Sequence, residues 1–146
     1  MKTLIIILSL ITFSVSAETR LIIPFATTHI GSDNDKFNNQ NYGLGIEYKG
    51  DYLYSATYLA NNSYFERSLY LSVAKEFNFK HVSLSAGLAL ASGYEEISDS
   101  GILIVPVWGV QYENIRIVTT FPVSVIACPP DSLCADFVNV QAVIGF

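Results

Sequence analysis

The chain has 146 residues, with 13 Asp and Glu against 8 Lys and Arg and a formal net charge of −5. That length holds one domain and not two, and the acidic balance excludes nucleic acid as a partner, because phosphates demand a basic surface. Only 14% of the residues are charged while 51% are apolar, which is too little charge for a protein that turns a polar face to water all round.

The first element is a leader. Met1, Lys2 and Thr3 give a short positive start, Leu4 to Val15 is almost wholly apolar, and Val15-Ser16-Ala17 places small residues where a signal peptidase needs them. The apolar run is about a dozen residues, below the roughly 20 that cross a bilayer as a helix. Residues 1–17 are therefore expected to be a signal peptide, cleaved before Glu18, and residues 18–146 the working domain.

After Ala17 no stretch keeps a helical period. Short runs of alternating residues recur instead, separated by turn-forming clusters. They predict eight strands, at about 20–29, 42–49, 52–60, 66–77, 81–92, 102–113, 115–126 and 137–146. In the second, Tyr42, Leu44, Ile46 and Tyr48 alternate with Gly43, Gly45 and Glu47. In the third, Tyr52, Tyr54, Ala56 and Tyr58 share one face. Leu69, Leu71 and Val73 do so in the fourth, and Val82, Leu84, Ala86, Leu88 and Leu90 in the fifth. The last run sets Val138, Val140, Ala142, Ile144 and Phe146 against Asn139, Gln141 and Gly145.

The connections add to this. Those after strands two, four and six are tiny, at Gly50-Asp51, Asn78-Phe79-Lys80 and Asn114. The others are longer and hold Asp33, Asp35, Asp99, Asp131 and both cysteines. Short turns alternating with long loops, strands of roughly ten residues and an even strand number mark a transmembrane β-barrel of the bacterial outer membrane. Tyrosines at strand ends fit the aromatic girdles of such barrels. A final Phe146 after alternate apolar residues fits the terminal strand that outer-membrane assembly machinery reads. The fold class is thus all-β, an eight-stranded antiparallel transmembrane barrel, which closes its own edges and is expected as a monomer. A soluble sandwich or lipocalin-like barrel is the rival architecture.

An exported chain meets an oxidising compartment, so Cys128 and Cys134 are expected to form a local disulfide. A metal site would need more ligands nearby, and the only histidines, His29 and His81, are far off in sequence. No metal or cofactor is implied. Inward charges at Glu47, Glu76 and Arg116, with Asn139 and Gln141 nearby, predict a paired polar floor in the short-turn half.

Candidate bases are few. His81 falls in a short turn beside Lys80 and reads as a solvated loop residue. His29 ends the first strand and Ser63 follows the third, so strand polarity brings both to the long-loop rim. Three prolines fall within strands, Pro24, Pro106 and Pro122, where each removes a ladder hydrogen bond. They mark either bulges or gaps that admit lipid sideways.

The order of these features resembles the lipid A palmitoyltransferase family of outer-membrane acyltransferases. Ile23-Pro24-Phe-Ala-Thr-Thr-His29 is like that family's first strand, where a proline precedes an active-site histidine by five positions. Tyr42-Gly43-Leu-Gly45 resembles its glycine-rich second strand. Asn62-Ser63-Tyr64 falls where the family places an acidic residue, the active-site serine and an aromatic. Val105-Pro106-Val107 and Phe121-Pro122-Val123 resemble strands whose prolines open lateral gates. The family's amphipathic N-terminal helix has no counterpart here. The resemblance implies an acyltransferase that moves an acyl chain from a phospholipid to lipid A or a similar outer-leaflet acceptor. His29 would be the general base and Ser63 its polar partner or nucleophile, with Asn62 positioning them. The alternative of a different class is a non-enzymatic barrel with a structural, adhesion or surface-interaction role. Eight strands leave no open pore. The two readings separate on whether His29 and Ser63 meet above an apolar, lipid-accessible cavity; bulky side chains filling the upper barrel would favour the structural reading.

Overall fold

The computed structural model describes residues 18–30, 37–120 and 136–146. The expected leader over 1–17, Asp33, Asp35, Asp131, Pro122 and both cysteines, Cys128 and Cys134, lie outside the described residues.

Eight strands follow one another: β1 (Glu18–Ile30), β2 (Gly43–Lys49), β3 (Leu53–Leu59), β4 (Ser68–Phe79), β5 (Val82–Ser92), β6 (Ile102–Tyr112), β7 (Ile115–Thr119) and β8 (Asp136–Gly145). Each pairs antiparallel with its sequence neighbours, and β8 pairs with β1 to close the barrel. Closure satisfies the backbone groups that an open sheet would leave at its edges.

The short turns are tight. Phe79 faces Val82 across Lys80-His81, and Tyr112 faces Ile115 across Glu113-Asn114. Lys80 and Glu113 take positive φ, 28° and 50°, as two-residue hairpin loops require. Asn78 and Phe79, expected in the turn, instead extend β4 and pair with Ser83 and Val82. The Ser83 hydroxyl donates to Asn78 Oδ1 at 2.8 Å and holds that last rung.

Side chains alternate as the sequence alternates. Leu44, Ile46, Leu71, Leu88, Ile104 and Ile117 all point out and stay exposed, Ile104 at 70%. Tyr48, Tyr52, Tyr54, Phe79 and Tyr112 are exposed toward the short-turn end, and Tyr42, Tyr58 and Phe65 toward the long-loop end. The inward face is small where strands crowd. Ala89 and Ala91 are buried, and a Cβ on Gly87 would collide with the Val73 carbonyl oxygen.

The short-turn half is closed by charge. Arg116 reaches Glu47 through two bonds, Nη1 to Oε2 at 2.6 Å and Nη2 to Oε1 at 2.8 Å, and also donates twice to Gln111 Oε1. Arg20 Nη1 lies 3.4 Å from Glu47 and 3.5 Å from Glu76, and Lys49 pairs with Glu76. Glu47 is 2% exposed, so these partners are what make its charge tolerable in the interior. The expected polar floor is present, with Arg20 as an added member. Asn139, expected near it, instead sits higher, where its Nδ2 donates to Ala26 O and Thr27 Oγ1.

Candidate functional site

The site begins with a parity switch in β1. Arg20, Ile22 and Pro24 point inward, as even-numbered positions of one strand face must. Pro24 pairs with Gln141 while Ala26 pairs with Val140, so Phe25 is one residue too many on this strand. Such a bulge moves every later side chain to the opposite face. Thr27 and His29, at odd positions, now point inward, and Phe25 points out at 41% exposure. Without the bulge His29 would face outward.

His29 then sits inside the long-loop rim, 4% exposed, with both ring nitrogens engaged. Nδ1 is 2.8 Å from Asn39 Oδ1 and Nε2 is 2.7 Å from Ser63 Oγ. An amide oxygen only accepts, so Nδ1 carries the proton and donates it to Asn39. Nε2 is left with its lone pair and accepts the Ser63 hydroxyl proton. This is the tautomer a general base needs. The Phe37 ring stacks on the imidazole, with centroids 4.5 Å apart and planes 18° apart, and fixes the third direction.

Ser63 comes from the loop between β3 and β4, and Asn62 organises that loop. Asn62 is wholly buried. Its Oδ1 accepts from the backbone N–H of Tyr64 at 2.8 Å and of Glu66 at 3.0 Å, and its Nδ2 donates to Gly93 O at 2.5 Å. The turn places Phe65 at φ 65°. Gly93, at φ +81°, has no room for a Cβ, which would meet Arg67 O. Asn38 clips the preceding segment on: its N–H donates to Ser63 O at 2.9 Å and its Nδ2 to Asn62 O at 3.1 Å.

Below the dyad the interior is apolar and nearly filled. A pocket of about 30 Å³ is lined by His29, Ser63, Tyr70, Tyr94, Leu103 and Phe137. A larger cavity of about 100 Å³ lies toward the floor, with Ser55, Thr57, Ser72 and Asn139 among apolar walls. Tyr70 and Phe137 line both, so they stand where the two voids meet. Phe37, Tyr64 and Tyr94 pack edge to face in succession, and the Tyr94 and Tyr70 hydroxyls bond to each other. Burial, then the Glu96 charge, pushes the Tyr64 phenol up to about 12. Burial, then Tyr64, raises Tyr94 further. Both hydroxyls therefore stay protonated at neutral pH.

The wall beside the site is interrupted at Pro24. The β1–β2 ladder runs from Glu18–Lys49 to Ile22–Gly45 and stops. One backbone bond, Thr27 N–H to Asn39 O at 3.1 Å, rejoins the two segments. Pro106 behaves differently. It faces Leu88 within an unbroken β5–β6 register, so it opens nothing on that side. The β6–β7 ladder is described from Tyr112–Ile115 up to Trp108–Thr119, short of Pro106.

The structure thus joins His29 to Ser63, two residues that strand polarity brings to the same rim. It gives Asn62 no bond to either ring nitrogen, and the place expected for it beside His29 is held by Asn39. Asn39, Asn41 and the stacking Phe37 were missed by sequence reasoning. Their signal was the run Phe37-Asn38-Asn39-Gln40-Asn41 just before β2, a density of amides and one aromatic with no turn glycine to explain it. His81 lies in its short turn, away from the rim. Among the described residues no group of three or more His, Cys, Asp and Glu side chains is placed to hold a metal ion.

A scan against protein-family models finds no match to the chain, and a search of curated proteins finds none either.

Proposed function

We propose that the chain is an outer-membrane barrel that transfers an acyl group from a phospholipid to lipid A or a similar outer-leaflet acceptor. One observation carries this reading: a buried His29–Ser63 pair whose tautomer is set by Asn39 and whose ring is held by Phe37. An interior histidine held by three groups, with its Nε2 lone pair on a hydroxyl, has the arrangement a general base needs.

The membrane setting is supported by the outward face. A continuous apolar surface of this extent would be costly in water and marks a lipid or protein contact. Its aromatic ends fit the two interfaces. Residues 1–17 are read as the signal peptide that starts export, and Cys128 and Cys134 as a disulfide made after it. The order of motifs resembles the lipid A palmitoyltransferase family, and the site agrees with the roles that likeness implies for His29 and Ser63.

In the proposed reaction His29 Nε2 takes the proton from Ser63 Oγ, or from an acceptor hydroxyl placed beside it. The oxygen so activated attacks the ester carbonyl. Asn39 keeps Nδ1 protonated throughout and faces the imidazolium that forms. Asn62 acts by shaping the loop that presents Ser63. The break in the ladder above Ile22 and Gly45 supplies a lateral way in for a lipid chain, beside Pro24 and level with the cavities. Gates at Pro106 and Pro122 are not needed for this route.

A second reading, a non-catalytic surface barrel, is favoured by the bulk of Tyr70, Tyr94 and Phe137 beneath the dyad, which leaves only about 30 Å³ there. The two separate in vitro. The refolded barrel is placed in vesicles holding lipid A and a phospholipid labelled in its acyl chains, and the label is followed. Transfer that disappears in His29→Ala supports the enzyme. A folded barrel that neither transfers nor releases labelled chains leaves the surface role.

A further inference from the structure

Among the described residues two buried amide oxygens lack any partner, Asn41 Oδ1 and Asn139 Oδ1, and both residues line the larger cavity. Asn139 is otherwise well used, since its Nδ2 donates to Ala26 O and Thr27 Oγ1. Asn41 is not. It is 4% exposed, and its side chain makes a single long contact, Nδ2 to Ser63 Oγ at 3.4 Å. A buried amide so poorly satisfied lowers stability. A leucine of similar size would fit an interior position better. Oδ1 is an acceptor and has nothing to offer an ester oxygen. Nδ2, however, keeps a second N–H that no described residue accepts, and a buried donor beside a reactive hydroxyl points to an acceptor that arrives with substrate.

We infer that Asn41 is the oxyanion donor of the site: its Nδ2 holds the carbonyl oxygen of the reacting ester and receives the charge that develops there. The inference rests on the acyl-transfer reading and adds to it a residue that the sequence motifs do not single out.

The geometry follows from what the reaction must do. Ser63 Oγ passes its proton to His29 Nε2 and its electron pair to the carbonyl carbon. The C=O π pair moves onto the carbonyl oxygen, which now sits one bond from a carbon attached to Ser63 Oγ. A donor near Oγ is placed to reach it, and such donors work at about 2.7–3.1 Å. Nδ2 lies 3.4 Å from Oγ, a weak contact that leaves it able to turn to the carbonyl oxygen. As the pair returns, the bond to the glycerol oxygen breaks and that oxygen takes the proton from His29. The acceptor hydroxyl then gives its proton to His29 and attacks the acyl carbon. Ser63 Oγ leaves and recovers a proton from His29. When the acceptor attacks directly, the same carbonyl oxygen gains charge beside the same amide. His29 is the base and Asn39 its orienter, so neither can take this role. Asn62 Nδ2 is committed to Gly93 O.

The test uses the full barrel in vesicles with labelled phosphatidylethanolamine as donor and lipid A as acceptor. It compares the parent with Asn41→Leu, Asn41→Gln, His29→Ala and Ser63→Ala. Loss of one oxyanion donor lowers kcat by about 10²–10³. Asn41→Leu is expected to fall by that factor with KM within about twofold. Its unfolding midpoint should equal or exceed the parent's, because a partnerless amide has left the interior. Asn41→Gln, which keeps the donor, should recover part of the rate. Asn41→Leu with kcat within threefold of the parent, while His29→Ala is inactive, overturns this inference and leaves the acyl-transfer reading standing. Both Asn41 variants failing to fold would make the residue structural and also overturn it. A folded parent with no transfer removes both.

Discussion

Replacing Asn39 by leucine takes away the acceptor that holds His29 Nδ1–H, and leaves the Nε2–Ser63 bond and the Phe37 stack in place. The Asn39 side chain is exposed at the rim while the imidazole it meets is buried. The bond therefore competes with water on one side, and its net worth is that of an ordinary intramolecular hydrogen bond, about 0.5–1.5 kcal/mol. If that energy biases the ring toward the tautomer with a free Nε2 lone pair, its loss lowers the reactive population by about 2- to 12-fold, since 1.4 kcal/mol is tenfold. Global stability should change little. Asn39→Asp supplies a carboxylate, and its charge-assisted bond is about twice as strong. That variant should equal or exceed the parent rate, because a negative charge also stabilises the imidazolium. Initial rates of labelled acyl transfer in vesicles, with unfolding followed by circular dichroism, measure both quantities. Asn39→Leu at the parent rate would refute the orienting role, and so would Asn39→Asp slower than Asn39→Leu.

Three further outcomes follow from the same contacts. Asn62→Asp should lower stability by about 1–3 kcal/mol, because it replaces the Nδ2 donor with an oxygen facing Gly93 O; denaturant unfolding reads it, and a gain in stability would contradict it. Arg116→Leu should cost up to about 3–5 kcal/mol by leaving the buried Glu47 only its long contact to Arg20, and Glu47→Leu added to it should recover most of the loss in the same assay. Deleting Phe25 removes the bulge, so with Arg20 and Ile22 held by their own contacts His29 should turn outward; transfer should vanish while the β signal in circular dichroism remains, and an active deletion variant would disprove the parity argument.

The barrel was legible because its signal is periodic and repeated. The alternation of Leu84, Leu88 and Leu90 with Ser85, Gly87 and Ala89 fixes both strand and facing, and the tiny connections fix which ends are paired. Turn positions slipped by a residue or two, as at Lys80-His81, since Asn78 suits a turn by type but pairs, with Phe79, within β4. Strand polarity placed His29 and Ser63 on the same rim, and the family resemblance, not polarity, singled them out as a pair. A bulge was one of the two readings of Pro24, and one falls beside it at Phe25; that it turns His29 inward was not legible, because one inserted residue shifts the facing without a mark in composition. Asn39, given no task by the sequence reading, holds the place beside His29 expected of Asn62, and there is a physical reason. The buried place beside Gly93 O needs a donor, which an amide supplies and a carboxylate does not. The rim beside His29 Nδ1 needs an acceptor, which a nearby loop amide supplies equally well. Sequence position identified the amide but not which partner it meets.

In the proposed function this barrel uses His29 and Ser63 to acylate an outer-leaflet lipid. The most direct measurement is the mass of lipid A from a Gram-negative strain lacking its own lipid A acyltransferases and expressing the parent chain, His29→Ala or Ser63→Ala. Added mass equal to one acyl chain with the parent, and none with either variant at matched levels of folded barrel, is the predicted result. Unchanged lipid A with the folded parent present, or the same added mass from His29→Ala, would contradict it.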